Sequence, residues 1–133
     1  MVNEPIKPGD GPIAITGASG YIGSWIVRDC IEQGYTVHAC VRDKSRPDKV
    51  DHLTSLNKSG PGQVILFEAD LFKRGSYDSA FETCTAVIHA GATVGYNRET
   101  PQEVYDGCFT ENDHVLKSVI EATTVRRLSL IHI

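Results

Sequence analysis

Gly17, Gly20 and Gly23 recur at three-residue intervals in ITGASGYIG (residues 15–23), between an apolar run and a stretch of helical spacing. A bend without side chains lets backbone N–H groups come close to an anion. The helix behind it adds free amides and the positive end of its dipole. Three glycines would weaken a plain turn through backbone entropy. The spacing therefore predicts a phosphate-cradling bend leading into a helix at residues 20–23, with Gly23 letting that helix lie close on the sheet.

One strand further on, YTVHACV (residues 35–41) is followed by Arg42 and Asp43. An acid at the end of this strand would accept hydrogen bonds from the adenosine ribose hydroxyls of NAD. Neutral Val41 removes repulsion toward a 2′-phosphate, and the adjacent Arg42 can clamp one through paired, charge-assisted hydrogen bonds. NADP is thus the expected cofactor, with NAD the weaker candidate. Asp43 reads as a capping or solvated acid. Small residues at Ala90, Gly91 and Ala92 end a later apolar run, where a nicotinamide ribose could approach the backbone; His89 beside them reads as a packed strand-end residue and receives no role.

These residues need a scaffold that brings strand ends together. PIAIT (12–16), YTVHACV (35–41), QVILFEAD (63–70), AVIHAGA (86–92) and the terminal VRRLSLIHI read as strands. Between them, helical spacing covers Tyr21 to Gln33, with Ile22, Ile26 and Cys30 on one face beside Trp25. It also covers a helix opening at Pro47 with Val50, Leu53 and Leu56, a short helix at 76–84, and Gln102 to Ala122 with Val115, Val119 and Ala122. Alternating strands and helices with unbroken apolar strands predict α/β architecture, a doubly wound parallel sheet covered on both faces. Its ligand crevice lies at the carboxyl ends of the strands, where the winding reverses.

The loop T-G-x-x-G-x-x-G places the first glycine one position earlier than the G-x-G-x-x-G dinucleotide fingerprint. It resembles the extended branch of the short-chain dehydrogenase/reductase superfamily, the NAD-dependent epimerases and dehydratases, whose usual loop is T-G-A-S/T-G-[FY]-[IL]-G. Residues 16–23 match it, including Ser19, Tyr21 and Ile22. VRD at 41–43 resembles plant-type dihydroflavonol and cinnamoyl-CoA reductases, in which Lys49 matches a second phosphate-reading lysine. The resemblance further implies that Asp70 and the backbone at Leu71 hold the adenine, although Asp70 could equally cap the next segment. ATTVRRL also resembles the approach to the fifth strand, so the likeness covers nearly the whole chain.

The resemblance implies a Tyr-x-x-x-Lys pair, in which the lysine lowers the tyrosine's pKa for proton exchange with the substrate oxygen. Tyr21, Tyr35, Tyr77, Tyr96 and Tyr105 are followed four places later by Trp25, Ala39, Phe81, Thr100 and Phe109. No catalytic residue is therefore assigned. Where the family continues V-x-T-S-S, this chain has SLIHI. LSLIHI is also the translation of CTG TCT CTT ATA CAC ATC, a transposase end sequence used in preparing DNA libraries. The expectation is a Rossmann domain truncated near the fifth strand: a polar leader at 1–11, the NAD(P)-binding part at 12–128, and a non-native tail at 129–133.

The 133 residues suffice for one domain, and 41% hydrophobic with 23% charged residues is ordinary for a folded globular chain. A net charge of −4 offers no basic field for nucleic acid or an anionic membrane. The chain has no basic leader with an apolar core and no apolar run of the roughly 20 residues a span needs, so a cytoplasmic location is expected. Four scattered cysteines form no metal-ligand spacing and read as buried thiols. The resulting expectation is the cofactor-binding part of an NADP-dependent reductase acting on a carbonyl or alcohol of a small organic substrate, inactive alone and of unassigned oligomeric state. The rivals are an NAD-dependent sugar-nucleotide epimerase or dehydratase, and a non-catalytic NADP-binding sensor. Gly95, Tyr96 and the loop through Pro101 are expected to border the substrate pocket.

Overall fold

The computed structural model describes residues 4–92 and 100–130. Gly95, Tyr96 and residues 131–133 of the expected tail lie outside them. Five strands, β1 (Ile13–Thr16), β2 (Thr36–Val41), β3 (Gln63–Glu68), β4 (Ala86–His89) and β5 (Arg127–Leu130), form one sheet in the order β3-β2-β1-β4-β5. Every pairing is parallel, with Ile13 opposite both Val37 and Ala86. The chain winds outward from β1 to β3, then returns to the other side of β1 with β4. This reversal leaves a crevice above the carboxyl ends of β1 and β4.

Alternation along β1 divides the core between two faces. Ile13 and Ile15 pack with Val37, Ala39 and Val41 under helices α1 (Tyr21–Glu32) and α2 (Pro47–Thr54), through Val27, Ile31, Val50 and Leu53. Ala14, Cys40 and Val87 face the other way, against Tyr77 and Phe81 and against Val115 of α4 (Pro101–Glu121). The short helix α3 (Asp78–Phe81) completes that face. Pro101 opens α4 behind a capping box: Thr100 Oγ1 accepts from the Glu103 N–H, and Glu103 Oε2 accepts from the Thr100 N–H at 2.7 Å.

Two expectations about burial are corrected. On α1 the buried stripe is Gly23, Val27, Cys30 and Ile31, with Ile26 only partly buried, while Ile22 and Trp25 are 43% and 55% exposed. The reason is Gly23: because this position is the one pressed against the loop, the helix is rotated so that its neighbour Ile22 faces outward. β3 is not hidden on both sides, since it is the sheet edge and leaves Ile65 exposed. Val115 and Ala122 are buried as expected, with Val119 packed beside them. Ser129 and Leu130, assigned to the tail, pair with Ile88 and His89 as part of β5.

Candidate functional site

The glycine bend follows β1 directly. Gly17 has φ +64°, in the region favouring glycine, and a Cβ there would lie 2.6 Å from Gly91 Cα and 2.7 Å from its nitrogen. The end of β4 thus rests on the bend itself. A Cβ on Gly23 would collide with the Gly17 carbonyl oxygen and sit 3.1 Å from Ala18 Cα, so α1 can close on the loop only without a side chain. Gly20 is the N-cap of α1 and supplies no side-chain cap. The first-turn amides of α1 are therefore left without a side-chain cap, as anion binding requires. The Tyr21 side chain is 84% exposed and Ser19 half-buried.

Beyond the bend, β2 ends in buried Val41, and a cleft of about 440 Å³ opens between Ser19, Val41, Arg42, Asp43, Arg46 and Lys49. Arg42 and Lys49 make no ion pair among the described residues, whereas Arg46 is held by Asp48 at 2.8 Å. Asp43 accepts from the Ser45 hydroxyl at 2.6 Å and the Ser45 N–H at 2.9 Å, which hold its carboxyl below the usual range. Asp43 thus closes a short turn ahead of α2 and does not cap that helix, whose N-cap Arg46 has no side-chain cap; of the two readings it is the exposed, solvated acid that the structure supports. The sequence reading missed Arg46; four cations between Arg42 and Lys49 were its only signal.

After β3, Asp70 Oδ1 accepts from the Phe72 N–H at 2.9 Å, the capping alternative. The same residue's backbone N–H donates to Ser76 Oγ, and that hydroxyl donates back to the Asp70 carbonyl. The Leu71 side chain is buried, and its carbonyl accepts from His114 Nδ1 at 2.7 Å. The segment expected to meet adenine is therefore fixed from both sides.

Ala90, Gly91 and Ala92 follow β4 on the far flank of the bend. Here the sequence reading also missed a polar chain. Thr16, fully buried, accepts from the Gly91 N–H at 3.1 Å and meets His89 Nδ1 at 2.6 Å, while His89 Nε2 meets Asn112 Oδ1 at 2.9 Å. Asn112 Nδ2 in turn donates to the Cys108 carbonyl. A single assignment satisfies every contact: neutral His89 with its proton on Nε2, donating to Asn112 and accepting from Thr16.

Burial lowers the His89 pKa from its usual 6.5, only partly opposed by the bond to Asn112. The unfolded chain then binds more protons than the folded one, so stability is complete above the unfolded value and declines as pH falls from there through the depressed folded value. Urea midpoints measured from about pH 7.5 down to about 5 are expected to drop, and His89→Asn should flatten that slope.

Among the described residues, no tyrosine is paired with a lysine for proton transfer of the reductase type. Tyr77 is 3% exposed, and burial, with smaller contributions from Cys40, Asp70 and Glu111, pushes its phenol up, the reverse of what proton exchange needs. Cys30 and Cys84 are pushed up by burial to about 11 and about 12, leaving inert thiols; Cys40 is buried as well, and only Cys108 is partly exposed. Among the described residues no cluster of metal-ligating side chains occurs, and no helix is long and apolar enough to cross a membrane.

The glycine bend leaves room for an anion at main-chain amides, and the cleft beside it carries cationic side chains. The chain is 38% identical over 119 residues to a cinnamoyl-CoA reductase of Medicago truncatula, covering 89% of this chain and 36% of the relative. It is 39% identical over 117 residues to a bifunctional dihydroflavonol 4-reductase/flavanone 4-reductase of Malus domestica, covering 87% and 33%. Among solved structures, vestitone reductase from alfalfa (Medicago sativa) superposes with a TM-score of 0.70 at 27% identity, over 90% of this chain and 35% of that one. The chain thus spans about a third of the length of these relatives. Residues 13–131 match the model of the NAD dependent epimerase/dehydratase family. By that match the chain belongs to the NAD dependent epimerase/dehydratase family, as a nucleotide-binding Rossmann part similar to that of the plant reductases.

Proposed function

We propose that this chain is the NADP-binding part of a cytoplasmic reductase that acts on a carbonyl or alcohol of a small organic substrate. The observation that carries the cofactor choice is the cleft at the end of β2, where Arg42 and Lys49, without an ion pair among the described residues, stand beside Ser19 and neutral Val41 closes the strand. In this reading the bend at Gly17–Gly23 holds the pyrophosphate on backbone amides. Arg42 and Lys49 neutralise the 2′-phosphate, and Asp70 Oδ2 with the Leu71 backbone borders the adenine. Ala90, Gly91 and Ala92 leave room for the nicotinamide ribose. The bound dinucleotide would supply the hydride chemistry; the chain's own residues orient it. With no Tyr-x-x-x-Lys pair in its 133 residues, the chain is proposed to bind without turnover. Four free thiols fit a reducing compartment.

Calorimetric titration with adenosine 2′,5′-bisphosphate and with 5′-AMP tests the adenosine half of the site alone. The bisphosphate is expected to bind at least about thirtyfold more tightly, the worth of one charge-assisted contact or more. Equal affinities would remove the NADP assignment.

A further inference from the structure

His89 is fully committed by its surroundings, and its two nitrogens link three elements. Through Nδ1 it reaches Thr16 at the end of β1, and through Nε2 it reaches Asn112 on α4. Thr16 Oγ1 also takes the Gly91 N–H, and Gly91 lies against Gly17 across the bend. The distance between the two backbone segments flanking the dinucleotide position is therefore set by one hydroxyl, whose orientation is set by one imidazole.

We propose that His89 is a positioning residue for the nucleotide: as the neutral Nε2–H tautomer it orients the Thr16 hydroxyl, which pins Gly91 onto the glycine bend, so that the site is competent only while the imidazole is uncharged. This rests on the nucleotide-binding reading above. The chemistry is a count of donors and acceptors. With Nδ1 unprotonated, the Thr16 O–H donates to it and a lone pair remains for the Gly91 N–H. Adding a proton to Nδ1 turns this acceptor into a second donor facing the same oxygen. The oxygen can hold both donors on its two lone pairs only if the Thr16 proton turns away from its former acceptor into a fully buried environment, a cost that is relieved when Thr16 moves off Gly91. Around the imidazole, β1 presents Thr16 and β5 presents Leu130, while α4 contributes Cys108, Glu111 and Asn112 to the same small cavity of about 160 Å³; the Glu111 carboxylate favours a charged ring but does not restore Nδ1 as the acceptor for Thr16.

The sign of the pH effect separates this inference from simple electrostatics. A positive imidazolium near an anionic nucleotide would strengthen binding in acid, whereas loss of the Gly91 anchor weakens it.

Two amides each copy one half of the ring. His89→Asn places an acceptor where Nδ1 stands and keeps the Thr16 bond; His89→Gln places a donor near Nε2 and loses it. NADPH titrations of the 133-residue chain are expected to show His89→Gln and Thr16→Val each weakening binding about tenfold, and the double variant no more than either, because both remove the same buried hydrogen bond. His89→Asn should lose less and should lack the acid decline. Dividing the wild-type pH profile by that of His89→Asn cancels the 2′-phosphate's own titration. A second readout needs no substitution and no ligand: in ¹⁵N NMR of the wild-type chain, the Gly17 and Gly91 amides should shift with the same midpoint as the His89 ring. Additive losses in the double variant, tighter binding in acid, or glycine amides indifferent to the His89 titration would each overturn the proposal. Should the wild-type chain take up no dinucleotide, the binding reading fails on its own account, and the amide titration still decides whether His89 governs the bend.

Discussion

Gly23→Ala is expected to lower nucleotide affinity at least about a hundredfold and to destabilise the chain by about 2 kcal/mol. Two effects oppose each other at this position. Alanine is a better helix former than glycine by roughly 1 kcal/mol, so propensity alone predicts a more stable protein. The added methyl, however, would run into the Gly17 carbonyl oxygen and crowd Ala18 Cα. Backbone atoms cannot rotate aside as a side-chain end can. Either α1 lifts from the sheet or the bend opens, and both move the first-turn amides off the anion. Gly107 in α4 provides the control, because a Cβ there meets nothing within 4 Å. Gly107→Ala should raise stability by about 1 kcal/mol and leave binding intact. Urea unfolding and NADPH titration of both variants check the pair. Equal behaviour of the two alanines would show that the close approach at Gly23 is not what the site depends on.

Arg42→Gln is expected to weaken NADPH binding about thirtyfold, in the range for losing a charge-assisted contact, while changing NADH binding less than about threefold. Arg42 is exposed and has no ion pair among the described residues, so its removal breaks none of theirs. Arg46 lines the same cleft but is already engaged by Asp48, with Nε to Oδ1 at 3.3 Å and Nη2 to Oδ2 at 2.8 Å. Its contribution is therefore expected to be smaller. Calorimetry with both coenzymes reads the difference directly. A parallel loss for NADPH and NADH would mean that Arg42 supports the loop rather than the 2′-phosphate.

The sequence made the parallel sheet and the side of its crevice readable because each candidate residue lies at the end of an apolar run, at Gly17, Val41, Asp70 and Ala90, and parallel strands deliver their ends to one side. The spacing of the three glycines carried the close approach of α1. The rotation of α1 was not readable: Ile22 and Trp25 are apolar, yet a glycine determines which side meets the sheet, and hydrophobic spacing does not register that contact. The polar chain from Gly91 through Thr16 and His89 to Asn112 was invisible for another reason. Thr16 and His89 are 73 residues apart, and His89 and Asn112 are 23 apart. Neither spacing has a local signature, and only the register that sets Thr16 beside His89 brings them together. Asp70 shows the limit of residue type as a guide, since one oxygen caps Phe72 and only the other is open to a nucleotide.

The most direct trial of the account is a calorimetric titration of the 133-residue chain with NADPH and, separately, NADH. Saturable one-to-one binding is predicted, tighter for NADPH by about tenfold or more, as expected when an arginine meets a phosphate present in only one of the two ligands. No uptake of either dinucleotide at millimolar concentration would contradict the account.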